Sequence, residues 1–484
     1  MGLETARCSS IEFFVFLAAV FPVYFLAHRF GPRGPVLVLL IASLIFYAWW
    51  SVQYLWLLLL SICFNYAIGR QLLGGAPKSS QRTRDVLLAA GVATNLGLLF
   101  VFKYLDFFLR DVLGHDPLGI ILPLGISFYT FTQIAFLVDA RRGDVAANDP
   151  LSYGLFVTYF PHLIAGPIIH HKPVIPQFIN PANHVIRPDM VSVGLALFVI
   201  GLIKKIYFAD NVEPFVQPVF SFAAAGGNPG LLEAWSGTLA YTLQLYFDFS
   251  GYSDMAVGIS MLFGIRLPIN FESPYKANDI IEFWRRWHMT LSAFLREYLY
   301  FPLGGNRKGP AWRYINLMLT MCLGGLWHGA NWTFLAWGAL HGLYLIINHL
   351  ARAVLPATPG LGRLVIGRCL TLLAVIVAWV FFRADSLSAA RRVLSGMAGL
   401  NAAASSPGWD VKQAAWLAGL SLLTQIAPSS NEIADSLHQL LREPKARWNG
   451  SLIALSGGAC GAAFALVLST MLVKNAAEFL YFNF

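Results

Sequence analysis

Charge is scarce in this sequence. Only 12% of its 484 residues are Asp, Glu, Lys or Arg, about half the ~25% share of a soluble domain. No soluble appendage and no internal repeat stands out. Cysteine is also sparse: Cys8, Cys63, Cys322, Cys369 and Cys460 are odd in number and mostly lie in apolar segments. No CxxC occurs, which argues against a disulfide framework or a cysteine zinc site. There is no Walker A loop, no G-x-S-x-G elbow and no H-E-x-x-H motif. Those absences disfavour an ATP-driven pump, a serine hydrolase and a zinc protease. The first apolar run lacks a basic flank and an A-x-A-like cleavage site, so it reads as a retained helix and not as a signal peptide.

What is present is apolar. Hydrophobic residues make up 57% of the chain and the mean hydropathy is +0.60. This composition predicts an all-α, polytopic membrane protein in contact with bilayer lipid. The excess of 34 basic over 25 acidic residues falls in short loops between spans, where it sets orientation; it is not a nucleic-acid signature. Segments near the ~20 residues needed to cross the hydrocarbon occur at 11–27, 34–50, 52–69, 86–108, 118–138, 188–208, 235–249, 312–330, 332–350, 364–382, 412–427 and 452–473. Residues 250–266 are apolar again but carry Asp254, and the total is eleven to thirteen crossings. The first, third and fifth loops hold Arg29, Arg33, Arg70, Lys78, Arg82, Arg84, Arg141 and Arg142. The positive-inside rule places these loops in the cytoplasm and the N-terminus outside.

One domain is expected, in three sections: N-terminal spans over 1–145, a catalytic core over 146–350, and C-terminal spans over 351–484. Residues 151–178 hold four prolines and two glycines and read as a broken, re-entrant segment, tolerated at membrane depth only where protein or water covers it. Residues 385–397 read as an interfacial amphipathic helix.

The residues that can carry chemistry cluster in two runs. His328 lies in Leu326-Trp327-His328-Gly329-Ala330-Asn331-Trp332. Ionisable groups at membrane depth are expensive and mark functional sites by default, although such a histidine can also be satisfied by a backbone carbonyl in a helix interface. Gly324, Gly325 and Gly329 allow a close approach. Asn331, three residues on, is expected on roughly the same helical face, where it could orient the ring or polarise a carbonyl. The second run, Phe283-Trp284-Arg285-Arg286-Trp287-His288, supplies His288. The stretch from Pro274 to Gly305 is too rich in Trp, Arg and Tyr for an ordinary loop. Its arginines, with Lys308, suit an anionic donor such as coenzyme A, and Trp287 and Trp327 are expected to line its path.

Other candidates are weaker. Asp248 and Asp254 call for an arginine partner or a helix to cap. His162, His170 and His171 raise the question of a metal, but no acid accompanies them at ligand spacing, so no metal site is expected. His341 follows His328 by thirteen residues, yet Asn331-Trp332 marks a turn between them, and core packing accounts for it.

The run DFSGYSDMAVGISMLFGIRLPINFESPYKANDIIEFWRRWHMTLSAFLREYLYFPLGGNR, followed by LGGLWHGANWTFLAWGALHGLYL, closely resembles the membrane-bound O-acyltransferases. Within them it resembles the bacterial branch that acetylates exported polysaccharides such as alginate, with the D-alanyl transfer protein for teichoic acid a more distant cousin. PLGISFYTFTQIAFLVDARRGD, FPHLIAGPI, FFRADS and the closing FLYFNF match as well. The resemblance implies a ring of tilted helices around a thin centre with a funnel from each face. It also implies that His328 is the catalytic histidine and His288 the second family histidine. Acetyl-CoA would enter from the cytosol, and the acceptor would be a polysaccharide outside or a periplasmic partner protein at a bacterial inner membrane. A covalent acyl-histidine remains the alternative to general base catalysis. Two other classes compete: a transporter of acyl or lipid-linked cargo, and a scaffold that anchors periplasmic acetyltransferases.

Overall fold

The computed structural model describes residues 11–73, 80–145, 149–164, 166–354, 360–401, 410–442 and 461. Among these residues there are helices and turns and no strand. In chain order come α1 (Ile11–Leu26), α2 (Arg33–Trp50), α3 (Val52–Leu72), α4 (Gln81–Leu99), α5 (Ile126–Arg142) and α6 (Pro150–Thr158). Next are α7 (His171–Phe178), α8 (Pro188–Ile203), α9 (Asp210–Ala224), α10 (Leu231–Leu262), α11 (Ile280–Arg286) and α12 (Met289–Leu295). The remainder are α13 (Pro310–His328), α14 (Trp332–Val354), α15 (Leu361–Arg383), α16 (Leu387–Met397), α17 (Val411–Ile426) and α18 (Ser430–Arg442).

The all-α, multi-pass reading holds. Among the described residues seven segments are long and apolar enough to cross a bilayer: Ile11–Phe30, Arg33–Trp50, Val52–Leu72, Gln81–Val112, Pro188–Ala224, Trp332–Val354 and Leu361–Arg383. Several of the other expected crossings are shorter or less apolar helices, such as α5 and α13. The expected span at 452–473, apart from residue 461, and the FLYFNF motif lie outside the described residues, as do Cys8 and Cys460. Large apolar side chains stay exposed on the long helices, among them Trp56, Leu60, Val365, Ile366 and Leu370. Hydrocarbon accepts such a surface and water does not.

One segment departs from the expectation. Residues 235–262 are not divided after 249 but belong to one 32-residue helix, α10 (Leu231–Leu262), and residues 263–266 lie beyond its end. The Trp- and Arg-rich stretch after Pro274 contains two short helices. The chain stops at Arg286, turns through Trp287 and His288, and restarts as α12. The segment at 151–178 is broken as expected, into α6, a single turn at Phe160–Leu163 and α7. Asp149 caps α6, accepting from the backbone N–H groups of Leu151 and Ser152 and from the Ser152 hydroxyl. Burial would raise its pKa, but these hydrogen bonds outweigh that and hold it below the usual carboxylate value. The amphipathic α16 begins where Ser386 caps it.

The contacts divide the chain into two compact units. The first comprises the described residues up to Leu202, Tyr252–Ile269, and those from Ile433 onward. Its interior holds an aromatic cluster of Phe13, Phe16, Phe46, Phe160 and Phe263 and a polar ladder between helices. Asn65 and Asn95 exchange hydrogen bonds between α3 and α4, and Gln133 of α5 donates to Ser61. Polar pairs of this kind hold helices together where lipid supplies no hydrophobic drive.

The second unit comprises Ile203–Gly251 and the described part of Asn270–Glu432, and it positions the histidines. Here α13 and α14 form a helical hairpin in backbone contact. A Cβ at Gly338 would collide with the carbonyl of Met321, and one at Gly325 with the carbonyl of Phe334. Gly342 leaves room for Met318, whose Sδ would lie 2.8 Å from an added Cβ. Gly338→Val should therefore cost at least the ~1–3 kcal/mol of ordinary overpacking, read as an earlier thermal transition in detergent. An unchanged transition would mean that the two helices do not touch there.

Candidate active site

His328 is the last residue of α13. The helix ends there because Gly329 adopts an extended conformation (φ −165°, ψ 149°), and a Cβ at 329 would run into the ring of Phe334. The His328 ring is buried and lies edge-on to Trp337 at 5.1 Å between centroids, with Phe382 at 5.1 Å and Trp327 at 5.0 Å. The chain turn therefore delivers an imidazole into an aromatic enclosure.

His288 enters the same enclosure from the break between α11 and α12. Its backbone is left-handed (φ 43°, ψ 53°), which costs a residue with a Cβ roughly 1–2 kcal/mol. The ring is fully buried, packs at 4.8 Å against Phe249 and lies 6.4 Å from the ring of His328. Asn270 holds it. The Asn270 Oδ1 is 3.1 Å from His288 Nδ1 and also accepts from the backbone N–H and hydroxyl of Thr290. An amide oxygen that takes three such contacts is an acceptor, so Nδ1 carries the ring hydrogen and Nε2 presents a lone pair.

His341 is set the opposite way. The indole N–H of Trp284 donates to His341 Nδ1 at 3.3 Å, which leaves the ring hydrogen on Nε2. Its ring is 4.8 Å from Trp337. Among the described residues, buried polar atoms in this chain of contacts without a hydrogen-bond partner include His288 Nε2, Asn270 Nδ2, Trp337 Nε1 and His341 Nε2. A buried orphan of this sort costs about 1–3 kcal/mol, so a cluster of them is the mark of a site built for a polar guest. His341 is fully buried and packed among aromatic rings, as core packing expects, and only its Nε2 is left over.

A cavity of about 390 Å³ adjoins this cluster, lined in part by Asn278, Tyr344, Asn348, Arg352 and Arg363. Tyr344 touches His341, with 5.8 Å between rings, and Asn348 Oδ1 in the cavity wall is another orphan. A larger cavity of about 780 Å³, between Tyr207, Phe222, Glu233 and Trp416, shares no lining residue with the histidine cluster.

The other expected site residues sort unevenly. Trp287 and Trp327 are buried beside the histidines, with Trp327 6.2 Å from His288. Arg285 and Lys308 are exposed, and Lys308 lies over the ring of Trp312. Arg286 is engaged with Glu282 at 2.8 Å and with the Glu272 carbonyl. Asn331 does not share a helical face with His328, because the helix breaks at Gly329. Its amide oxygen instead accepts from the N–H of Thr333 and its nitrogen donates to the Asp385 carbonyl, bracing the turn. Asp248 pairs with a lysine and not with an arginine: Lys205 Nζ is 2.6 Å from its Oδ1 and 2.8 Å from Asp210. His162 is satisfied by the Phe156 carbonyl. The fold brings the buried Asp139 to His170 and His171, an acid that no spacing along the chain announces.

A profile described as MBOAT, membrane-bound O-acyltransferase family, matches residues 44–384. The chain belongs to the membrane-bound O-acyltransferase family. It is 44% identical over 424 residues to the peptidoglycan O-acetyltransferase of Helicobacter pylori, covering 80% of this chain and 79% of that one. It is 43% identical over 399 residues to the probable alginate O-acetylase of Pseudomonas aeruginosa, covering 80% and 74%. The teichoic acid D-alanyltransferase of Streptococcus thermophilus is 29% identical over 237 residues, covering 46% and 56%. This membrane-bound O-acyltransferase is thus a multi-pass enzyme whose matched region includes both His288 and His328.

The Lys205 cluster supports the site through α10, since Asp248 is next to Phe249, the residue whose ring meets His288 edge-on. Lys205→Met strands two carboxylates, one of them fully buried. Removing one member of a buried ion pair costs roughly 3–5 kcal/mol, so the variant should show a marked loss of folded protein. A second change, Asp248→Leu, should recover part of that loss, and a double variant no better than Lys205→Met would show that the charges are not coupled.

Proposed function

We propose that the chain moves an acetyl group from cytosolic acetyl-CoA to a hydroxyl of an exported polysaccharide, directly or through a periplasmic partner protein, in a bacterial inner membrane. The observation that carries this reading is the buried pair of His288 and His328, 6.4 Å apart, among orphaned donors and one orphaned acceptor. The names of the relatives support acetyl as the group and a cell-envelope glycan as the acceptor.

In this mechanism the acceptor hydroxyl gives its proton to His328 as its oxygen attacks the thioester carbon. The carbon–sulfur bond breaks, and the coenzyme A thiolate leaves and takes the proton back from the imidazolium. His288, with its lone pair on Nε2, accepts a hydrogen bond and orients the incoming group. The indole N–H of Trp337 and the Nε2–H of His341 are the donors available to the carbonyl oxygen as it gains charge. Arg363 in the adjoining cavity, with the exposed Arg285 and Lys308, supplies positive charge for the donor's phosphates, while Arg352 beside it is paired with Asp279. Asn331 is assigned to bracing the turn, with both ends of its amide engaged.

The test is His328→Ala in membranes together with whatever acceptor system the host supplies. Loss of a general base should lower acetyl transfer by about 10²–10⁴-fold at unchanged expression, with free coenzyme A no longer released. Normal acetylation of the polymer by the variant would overturn the assignment. Release of coenzyme A by the unaltered protein also separates this reading from a transporter or a scaffold, neither of which turns over a thioester.

A further inference from the structure

A second group of ionisable side chains lies apart from the histidine pair. Asp139 is in the last turn of α5 and only 2% exposed. His170 Nε2 is 2.8 Å from its Oδ2, and His171 Nδ1 is 3.5 Å from the same oxygen. The two imidazole rings are 4.5 Å apart, and one ligand atom from each of the three residues lies within 4.8 Å of the others. Arg142 approaches the other carboxylate oxygen, Oδ1, at 3.5 Å.

The orientation of His171 is the informative part. Its Nε2 lies 3.5 Å from the Asp144 carbonyl. A carbonyl only accepts, so Nε2 bears the ring hydrogen and Nδ1 bears a lone pair. That nitrogen is buried and makes no hydrogen bond among the described residues. It faces a carboxylate oxygen, so two acceptors confront each other across 3.5 Å, and they repel unless a positive charge sits between them. A histidine whose far nitrogen donates to a backbone carbonyl is also the usual arrangement around a metal ion.

We propose that Asp139, His170 and His171 bind a divalent transition-metal ion of the zinc class and so fasten the end of α5 to the start of α7. Two imidazoles and a carboxylate suit zinc and its neighbours, whereas calcium and magnesium prefer oxygen alone. Metal–ligand bonds near 2.0–2.1 Å imply ligand atoms about 3.3 Å apart in a tetrahedral site. The His171 contact already has that length, and the His170 contact opens by about half an ångström. Coordination through Nε2 moves the His170 hydrogen to Nδ1 and releases a long 3.4 Å contact from the Lys172 N–H. The His170 side chain is 35% exposed, which leaves a water-accessible fourth position. Arg142 lowers the affinity but binds the opposite oxygen and leaves Oδ2 to the metal.

The experiment uses the untagged full-length protein in detergent, stripped with a chelator, loaded with zinc chloride, desalted and assayed for metal by elemental analysis. Expected is about one zinc per chain above the level of His170→Gln and His171→Gln. Loading should raise the melting temperature of the unaltered protein and not of the variants. Cobalt should give a tetrahedral visible spectrum that both variants lose and that His115→Gln, an exposed histidine elsewhere, retains. Equal zinc in the unaltered protein and the variants, or no thermal shift on loading, would overturn the proposal and leave a proton as the charge between His171 and Asp139. If His171→Gln fails to fold, His170→Gln at the half-buried position supplies the comparison.

Discussion

Gly325 and Gly338 sit where a single added carbon would strike the main chain of the facing helix, and that approach decides where His328 ends up. Bilayer lipid is as apolar as a leucine side chain, so helices inside it are drawn together by packing and hydrogen bonds, not by exclusion of water. With small residues at the crossing, α13 and α14 pack backbone to backbone. The hairpin between them must then turn within Gly329, Ala330 and Asn331. The tight turn ends α13 at the imidazole, and Asn331 ties the corner to Asp385. The aromatic shell of Trp337, Phe334 and Phe382 closes around the ring as a result.

Within that shell the protein spends stability on polar groups that it leaves unanswered. Asn270 fixes the His288 tautomer with one oxygen while its own nitrogen stays without a partner, and His341 is fixed by Trp284 in the reverse sense. One ring thus offers an acceptor and the other a donor, both buried and both preset. A site of this kind need not reorganise when charge develops on a reacting oxygen, which is the condition under which fixed dipoles lower a barrier most. The Lys205–Asp248–Asp210 cluster adds a charged anchor beneath it on α10.

Much of this was legible in the residues, because hydropathy is a one-dimensional property. The long apolar helices, the proline-broken stretch after Asp149, the amphipathic α16, and His288 and His328 all follow from local composition or from the motif around them. What was not legible depends on contacts between distant segments. Asn331 was expected beside His328 because three residues make nearly one helical turn; the glycine turn forbids that. Residues 235–249 and 250–266 were read as separate pieces, with Asp248 and Asp254 near the division, but Lys205 pairs with Asp248 in space and one helix runs on to Leu262. Asp139 stands thirty-one residues before His170, far outside any ligand spacing. No residue type marks Asn270 as the group that orients His288.

The left-handed backbone at His288 has a consequence for how the position can change over generations. Glycine or asparagine would sit there with less strain, so the conformation alone favours drift toward either. Each of those replacements removes the imidazole and with it one of the partners of Asn270. Relief of the main chain and retention of the ring cannot both be had in one step, so the turn and the side chain it presents are bound to persist or vanish together.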